Sequence, residues 1–212
     1  MAKKANNDVT ARVTIKGFRP LLWHWFGPHA LPLEAVEKTG VAGHDPEEWR
    51  KTYLATKEGQ LYVDASYVFA CIRDGGSKVK LGRGNAKAAV SSTLEVEETR
   101  VLIDRFMPEG YKTMDTADFP IDADEPVYLD VRSVRNPSTK ARNIRYRVAA
   151  SPDWTATFHI AWDKTIVPRD VMHSILIDAG KLCGLGDGRS IGCGRFTVEK
   201  FKEIKDAKKK TA

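Results

Sequence analysis

The order of secondary-structure signals along this 212-residue chain predicts an α+β fold: a ferredoxin-like βαββαβ core, RRM-like, with large insertions. Two observations carry that expectation. Apolar residues alternate with polar ones at period two in stretches near Val13, Gln60 to Val63, Glu95 to Phe106, Val127 to Val148, Ala156 to Trp162 and Phe196. Between them lie two stretches with helical spacing, one opening at Asp64 and one at Pro168, which yields the order strand, helix, strand, strand, helix, strand. Hydrophobic residues at 42% and charged residues at 29% suit one folded domain spanning 1–212.

Each element has its own local cause. Val13 and Ile15 alternate with Thr14 and Lys16 as a half-buried strand that Gly17 ends. The aromatic run that follows is broken by Pro20, Gly27 and Pro28, so it reads as an irregular packed loop, and residues 31–54 read as helical or looping insertion. After a short strand at Gln60 to Val63, Asp64 is placed to cap a helix whose Val68, Cys71 and Ile72 share one face, with Gly75 and Gly76 at its end. Lys78, Lys80, Arg83 and Lys87 then sit among Gly82 and Gly84 in a stretch too polar for a core element, a basic loop. Glu95 to Phe106 reads as a strand or strand pair, and 108–126 as a long surface connection.

The second half is more regular. Val127, Leu129 and Val131 alternate with Tyr128, Asp130 and Arg132, and beyond a turn at Asn136-Pro137-Ser138-Thr139, Ile144, Tyr146 and Val148 alternate with Arg145 and Arg147. This is a hairpin with arginines opposite its apolar side chains. Ala156, Phe158, Ile160 and Trp162 mark another strand. Pro168 suits the first position of a helix on which Val171, Ile175, Ala179 and Leu182 recur, and Gly184 stops it. Phe196 and Val198 open a last strand before a basic tail, 205–212.

Lys and Arg number 34 against 28 Asp and Glu, a net charge of +6, which favours polyanionic partners. Cys71, Cys183 and Cys193 fit reduced thiols better than a disulfide framework. No secretory signal and no long apolar span is present, so the expectation is a cytoplasmic protein without a membrane partner.

The densest motif is Gly184 to Phe196, with glycines at Gly184, Gly186, Gly188, Gly192 and Gly194 and cations at Arg189 and Arg195. Glycine permits sharp bends and close backbone approach, and the exposed amides of such a loop suit phosphate. A nucleotide cradle, a nucleic-acid contact and a plain turn all fit. The dinucleotide fingerprint fails because a helix precedes the glycines and Arg189 takes the third glycine position; the Walker pattern fails because no Gly-Lys-Ser or Gly-Lys-Thr occurs here.

Gly184-x-Gly186, five residues, then Gly192-x-Gly194 with Arg195-Phe196, lying between the last helix and last strand, resembles the RAMP superfamily of CRISPR-associated proteins. That resemblance covers chiefly residues 127–203, and implies a ferredoxin-like domain with its glycine-rich loop in this place. It implies an oligomeric role in antiviral defense: binding single-stranded or guide RNA alongside copies of itself or related subunits. The insertion-bearing backbone subunits resemble the chain best, which would make 18–60 and 77–126 the inserted parts.

Beside the loop, Arg132, Arg135, Lys140, Arg142, Arg145 and Arg147 gather on the hairpin as candidate RNA-backbone contacts, as do Lys78, Lys80 and Arg83. A solvated strand face is the competing explanation. Single-stranded DNA would satisfy the same cations. Trp23, His24, Trp25 and Phe26 suit either core packing or base stacking. Three functional expectations follow: a non-catalytic RNA-binding subunit; a metal-free CRISPR-RNA-processing endoribonuclease using His24, with His29 in reserve; or a phage-encoded structural or interaction protein of the same fold. No cofactor is expected, and His173, Cys183 and Cys193 lack the spacing of a metal site.

Overall fold

The structure, a computed structural model, describes residues 7–27, 45–135 and 142–204. In chain order its elements are β1 (Asp8–Gly17), β2 (Leu21–Leu22), β3 (Gln60–Asp64), α1 (Ala65–Gly76), β4 (Lys80–Leu81), β5 (Gly84–Asn85), α2 (Lys87–Thr93), β6 (Glu95–Val96), β7 (Arg100–Phe106), β8 (Val127–Arg135), β9 (Arg142–Ala150), β10 (Thr155–Asp163), α3 (Arg169–Asp178) and β11 (Phe196–Ile204).

The main sheet runs β11-β1-β10-β7-β3, with β6 also on β10, and every pairing is antiparallel. Taking β1, α1, β7, β10, α3 and β11 as the βαββαβ unit, the strand order is fourth, first, third, second, the ferredoxin-like arrangement. Period-two burial turns one face of this sheet inward. Val13 and Ile15 of β1, Val101 and Ile103 of β7, and Phe158, Ile160 and Trp162 of β10 are at most 1% exposed. They pack with Val68, Cys71 and Ile72 of α1 and with Met172, Ile175 and Leu176 of α3. Each large aliphatic or aromatic side chain so buried contributes about 1.5–3 kcal/mol.

Asp64 caps α1 as expected, its carboxylate accepting from the Ser66 amide at 2.9 Å. The stripe expected on α3 is rotated. Met172, Ile175, Leu176 and Ala179 are buried, while Leu182 is 44% exposed, because Ala179–Cys183 is a π-helical turn that winds the chain wider before Gly184. Lys87, taken for the end of a basic loop, instead opens α2, and the preceding polar stretch folds as the small β4–β5 hairpin.

The arginine hairpin β8–β9 does not extend the main sheet. It forms a second sheet in the order β2-β9-β8, so the aromatic run after β1 contributes a strand, Leu21–Leu22, to the hairpin's partner edge. Registers place Asp130 opposite Arg147 and Arg132 opposite Arg145, all on one face; Arg135 and Arg142, also opposite one another, fall on the other face. The expectation that the hairpin arginines share a face therefore holds for Arg132, Arg145 and Arg147 only.

Candidate nucleic-acid interface

The glycine-rich segment folds back on the chain that follows β1. Its Leu185 amide donates to the Gly194 carbonyl at 2.9 Å, the Asp187 amide to Leu22 at 2.9 Å, and the Gly194 amide to Pro20 at 2.7 Å. Glycine is required at the crossing points. Gly194 has φ +69°, and a Cβ there would stand 1.8 Å from the Leu185 oxygen; at Gly186, also at φ +69°, it would stand 2.5 Å from the Leu22 oxygen. Gly184, Gly186 and Gly194 are buried, whereas Arg189, Ser190 and Ile191 at the tip are exposed. Most of the amides expected to face phosphate are thus used to build the loop, and only its tip meets solvent. Arg195 donates from Nη1 to the Lys181 carbonyl, closing the π-helical turn.

Each of the three arginines on the shared hairpin face, Arg132, Arg145 and Arg147, meets a carboxylate. Asp130 accepts from Arg132 Nε at 2.7 and 2.8 Å, which holds the Arg132 guanidinium above its ordinary pKa. Arg145 donates to Glu48 at 2.5 Å. Arg147, only 6% exposed, sets its Nε 2.9 Å from Asp187 Oδ2, a charge contact without the alignment of a hydrogen bond. Arg189 on the loop tip reaches Asp74 of α1 at 3.3 Å. These pairs fix the orientation of guanidinium groups that would otherwise sample many rotamers.

The three basic regions meet. A cleft of about 810 Å³ opens between the end of α1, the loop tip and β8–β9, lined by Lys78, Arg132, Arg135, Arg147 and Arg189 together with Asp74 and Asp187. Five cations against two carboxylates leave a positive wall. Lys78 and Arg135 have no ion pair among the described residues. Leu182, Ile191 and Val134 add an apolar rim, so the cleft can meet both the charged and the flat faces of a nucleotide. Cys183 also lines it; burial raises this thiol above its ordinary pKa, so it adds no negative charge near neutrality.

Other sequence candidates lie elsewhere. Lys80 and Arg83 are exposed on the β4–β5 hairpin, and Arg142 and Arg145 do not line the cleft. Lys140, His29 and the basic tail fall outside the described residues. His24 turns Nε2 to Glu48 at 3.1 Å and Nδ1 to Asp187 at 3.9 Å, with 15% of its side chain exposed. It bridges two carboxylates that in turn hold Arg145 and Arg147, which gives this histidine a positioning task. Trp23 is fully buried and donates to the Tyr62 carbonyl at 2.8 Å; Trp25 meets Tyr67 edge-on at 5.3 Å, and Phe26 alone of the four rings is open, at 54%. Among the described residues no group of three His, Cys, Asp or Glu is placed to hold a metal ion. His173 stacks on Phe201 at 4.9 Å, and Cys193 packs with Leu22, Tyr128 and Ala149.

Asp74, Asp187 and Glu48 were not singled out by the sequence. An acidic residue inside a basic site leaves no signal in composition, because its partners can lie far away in sequence, as Arg189 does from Asp74 at 115 residues. No helix among the described residues is long and apolar enough to cross a membrane.

No family model matches the chain, and no curated protein matches it in sequence. Among solved structures it is similar to a chain of the cryo-EM structure of the Type III-B Cmr-beta bound to cognate target RNA, with 16% identity and a TM-score of 0.49. The similarity covers 93% of this chain and 61% of that one, so the chain spans less than two thirds of that neighbour's length.

Proposed function

We propose that this chain is a non-catalytic RNA-binding subunit that grips the phosphate backbone of single-stranded RNA in the cleft between the Gly188–Ile191 tip and the β8–β9 hairpin. The observation that carries this reading is the convergence of Lys78, Arg132, Arg135, Arg147 and Arg189, from three segments far apart in sequence, on one cleft of about 810 Å³. Convergent cations with an apolar rim fit a strand whose phosphates and bases are both accessible, which a duplex does not offer. The RAMP-like spacing of Gly184 to Arg195 adds the expectation that the subunit works beside related subunits along a guide RNA, with 205–212 as a further basic contact.

Charge reversal at the exposed positions tests it. Arg135→Glu and Arg189→Glu lie at the surface and leave the core intact, and each is expected to weaken binding of a fluorescent single-stranded RNA at least about tenfold by anisotropy. Unchanged affinity in both would remove the cleft from the account. Comparison with a single-stranded DNA of the same sequence reads out whether the 2′-hydroxyl contributes.

A further inference from the structure

The floor of the cleft carries a group that its rim does not explain. Arg147 has 6% of its side chain exposed, yet it lines the cleft, and its buried Nε has no hydrogen-bond partner. Among the described residues its one ion-pair partner is Asp187, 2.9 Å away and out of line for a hydrogen bond. A guanidinium withdrawn from water is normally matched by acceptors along its planar fork, since each unmatched donor is costly in a desolvated setting. The planar fork of Arg147 thus keeps a buried donor, Nε, that no acceptor takes up.

Asp187 is also held independently of Arg147. Its amide donates to Leu22 at 2.9 Å, and His24 Nδ1 lies 3.9 Å from the same carboxylate oxygen that Arg147 meets. Beside Arg147 on the same strand face, Asp130 is taken up by Arg132 through both carboxylate oxygens, so it does not compete for Arg147.

Resting on the RNA-binding reading above, we propose that Arg147 is the base of a dedicated phosphate site. A phosphate oxyanion enters the cleft, accepts paired hydrogen bonds from the Arg147 fork and replaces Asp187 as its counter-charge, while Asp187 stays beside His24. The carboxylate holds the guanidinium in place until a phosphate arrives, which spares the empty site an unpaired buried charge. Two sources offer this chemistry, an internal phosphodiester and a 5′-terminal phosphate.

Arg147→Lys separates the fork from the charge. It is expected to raise the Kd for single-stranded RNA at least about tenfold while leaving the slope of log Kd against log salt unchanged, because lysine keeps the cation and loses the paired geometry. Wild-type affinity in Arg147→Lys, with Arg135→Glu still defective, would overturn the phosphate site and leave the RNA-binding reading standing. Asp187→Asn provides a second arm should the lysine variant fold poorly. Removing the competing charge is expected to tighten binding of inorganic phosphate several-fold by calorimetry; an unchanged or weaker affinity overturns the proposal. Competition with circular RNA, 5′-hydroxyl RNA and 5′-phosphorylated RNA distinguishes the sources: equal competition assigns the site to an internal phosphodiester, and preference for the phosphorylated end assigns it to the terminus.

Discussion

Glu48 ties together three segments that share no local sequence. Its carboxylate accepts from His24 at 3.1 Å, from Arg145 at 2.5 Å and from the Tyr146 amide at 3.2 Å, in a residue only 8% exposed. Burial, the largest influence, pushes its pKa up, but the hydrogen bond from His24, the Tyr146 amide and the Arg145 charge together hold it below the ordinary value of 4.5. A carboxylate depressed in the folded state stabilises the fold above its unfolded pKa, and that contribution is lost as pH falls through the folded one. Stability should therefore fall below about pH 4.5, and Glu48→Gln should flatten this acid limb while costing about 3 kcal/mol at pH 7, measured by urea unfolding at both pH values. At this scale little was legible beforehand. His24 stood out as a histidine among aromatic rings, but the carboxylates that define its task lie 24 and 163 residues away, and no local pattern marks them.

Among the elements, the glycine-rich loop and the end of α1 carry separable predictions. Gly194→Ala forces a side chain into a positive-φ position against the Leu185 carbonyl, and is expected to cost at least about 2 kcal/mol in chemical denaturation. Lys78→Ala, at the cleft, should weaken RNA binding several-fold, whereas Lys80→Ala, two residues on and away from it, should leave anisotropy titrations unchanged. The sequence treats these two lysines alike, because both belong to one basic stretch; only the turn after Gly76 sends them to different surfaces. The long strands of the main sheet and the β8–β9 hairpin were readable from alternation and the capping of α1 from Asp64, whereas the two-residue strands β2, β4 and β5 were read as loops. The side to which Arg135 and Arg142 point was also in the alternation, since each lies an odd three residues from Arg132 or Arg145 in its own strand; only their pairing with one another depended on register across the turn. Two further features escaped for physical reasons: α2 is only seven residues long, too short for helical periodicity to emerge, and the π-helical turn at Ala179–Cys183 breaks the 3.6-residue spacing that placed Leu182 in the core.

Over the full chain, the order of strands and helices was enough to anticipate the ferredoxin-like core, because short connections and right-handed β-α-β crossovers leave few ways to arrange four strands and two helices. The second sheet was not anticipated. It depends on Leu21–Leu22 pairing with Ala149 and Ala150, a contact across more than half the chain between two short apolar runs. That sheet brings the hairpin against the loop tip and the end of α1, and so turns three scattered basic stretches into one cleft. If the cations of this cleft grip RNA phosphates, affinity must fall as salt rises. With three to five phosphates neutralised, a plot of log Kd against log salt for single-stranded RNA should rise with a slope of about 2 to 3.5. A slope near zero would contradict phosphate gripping by this cleft.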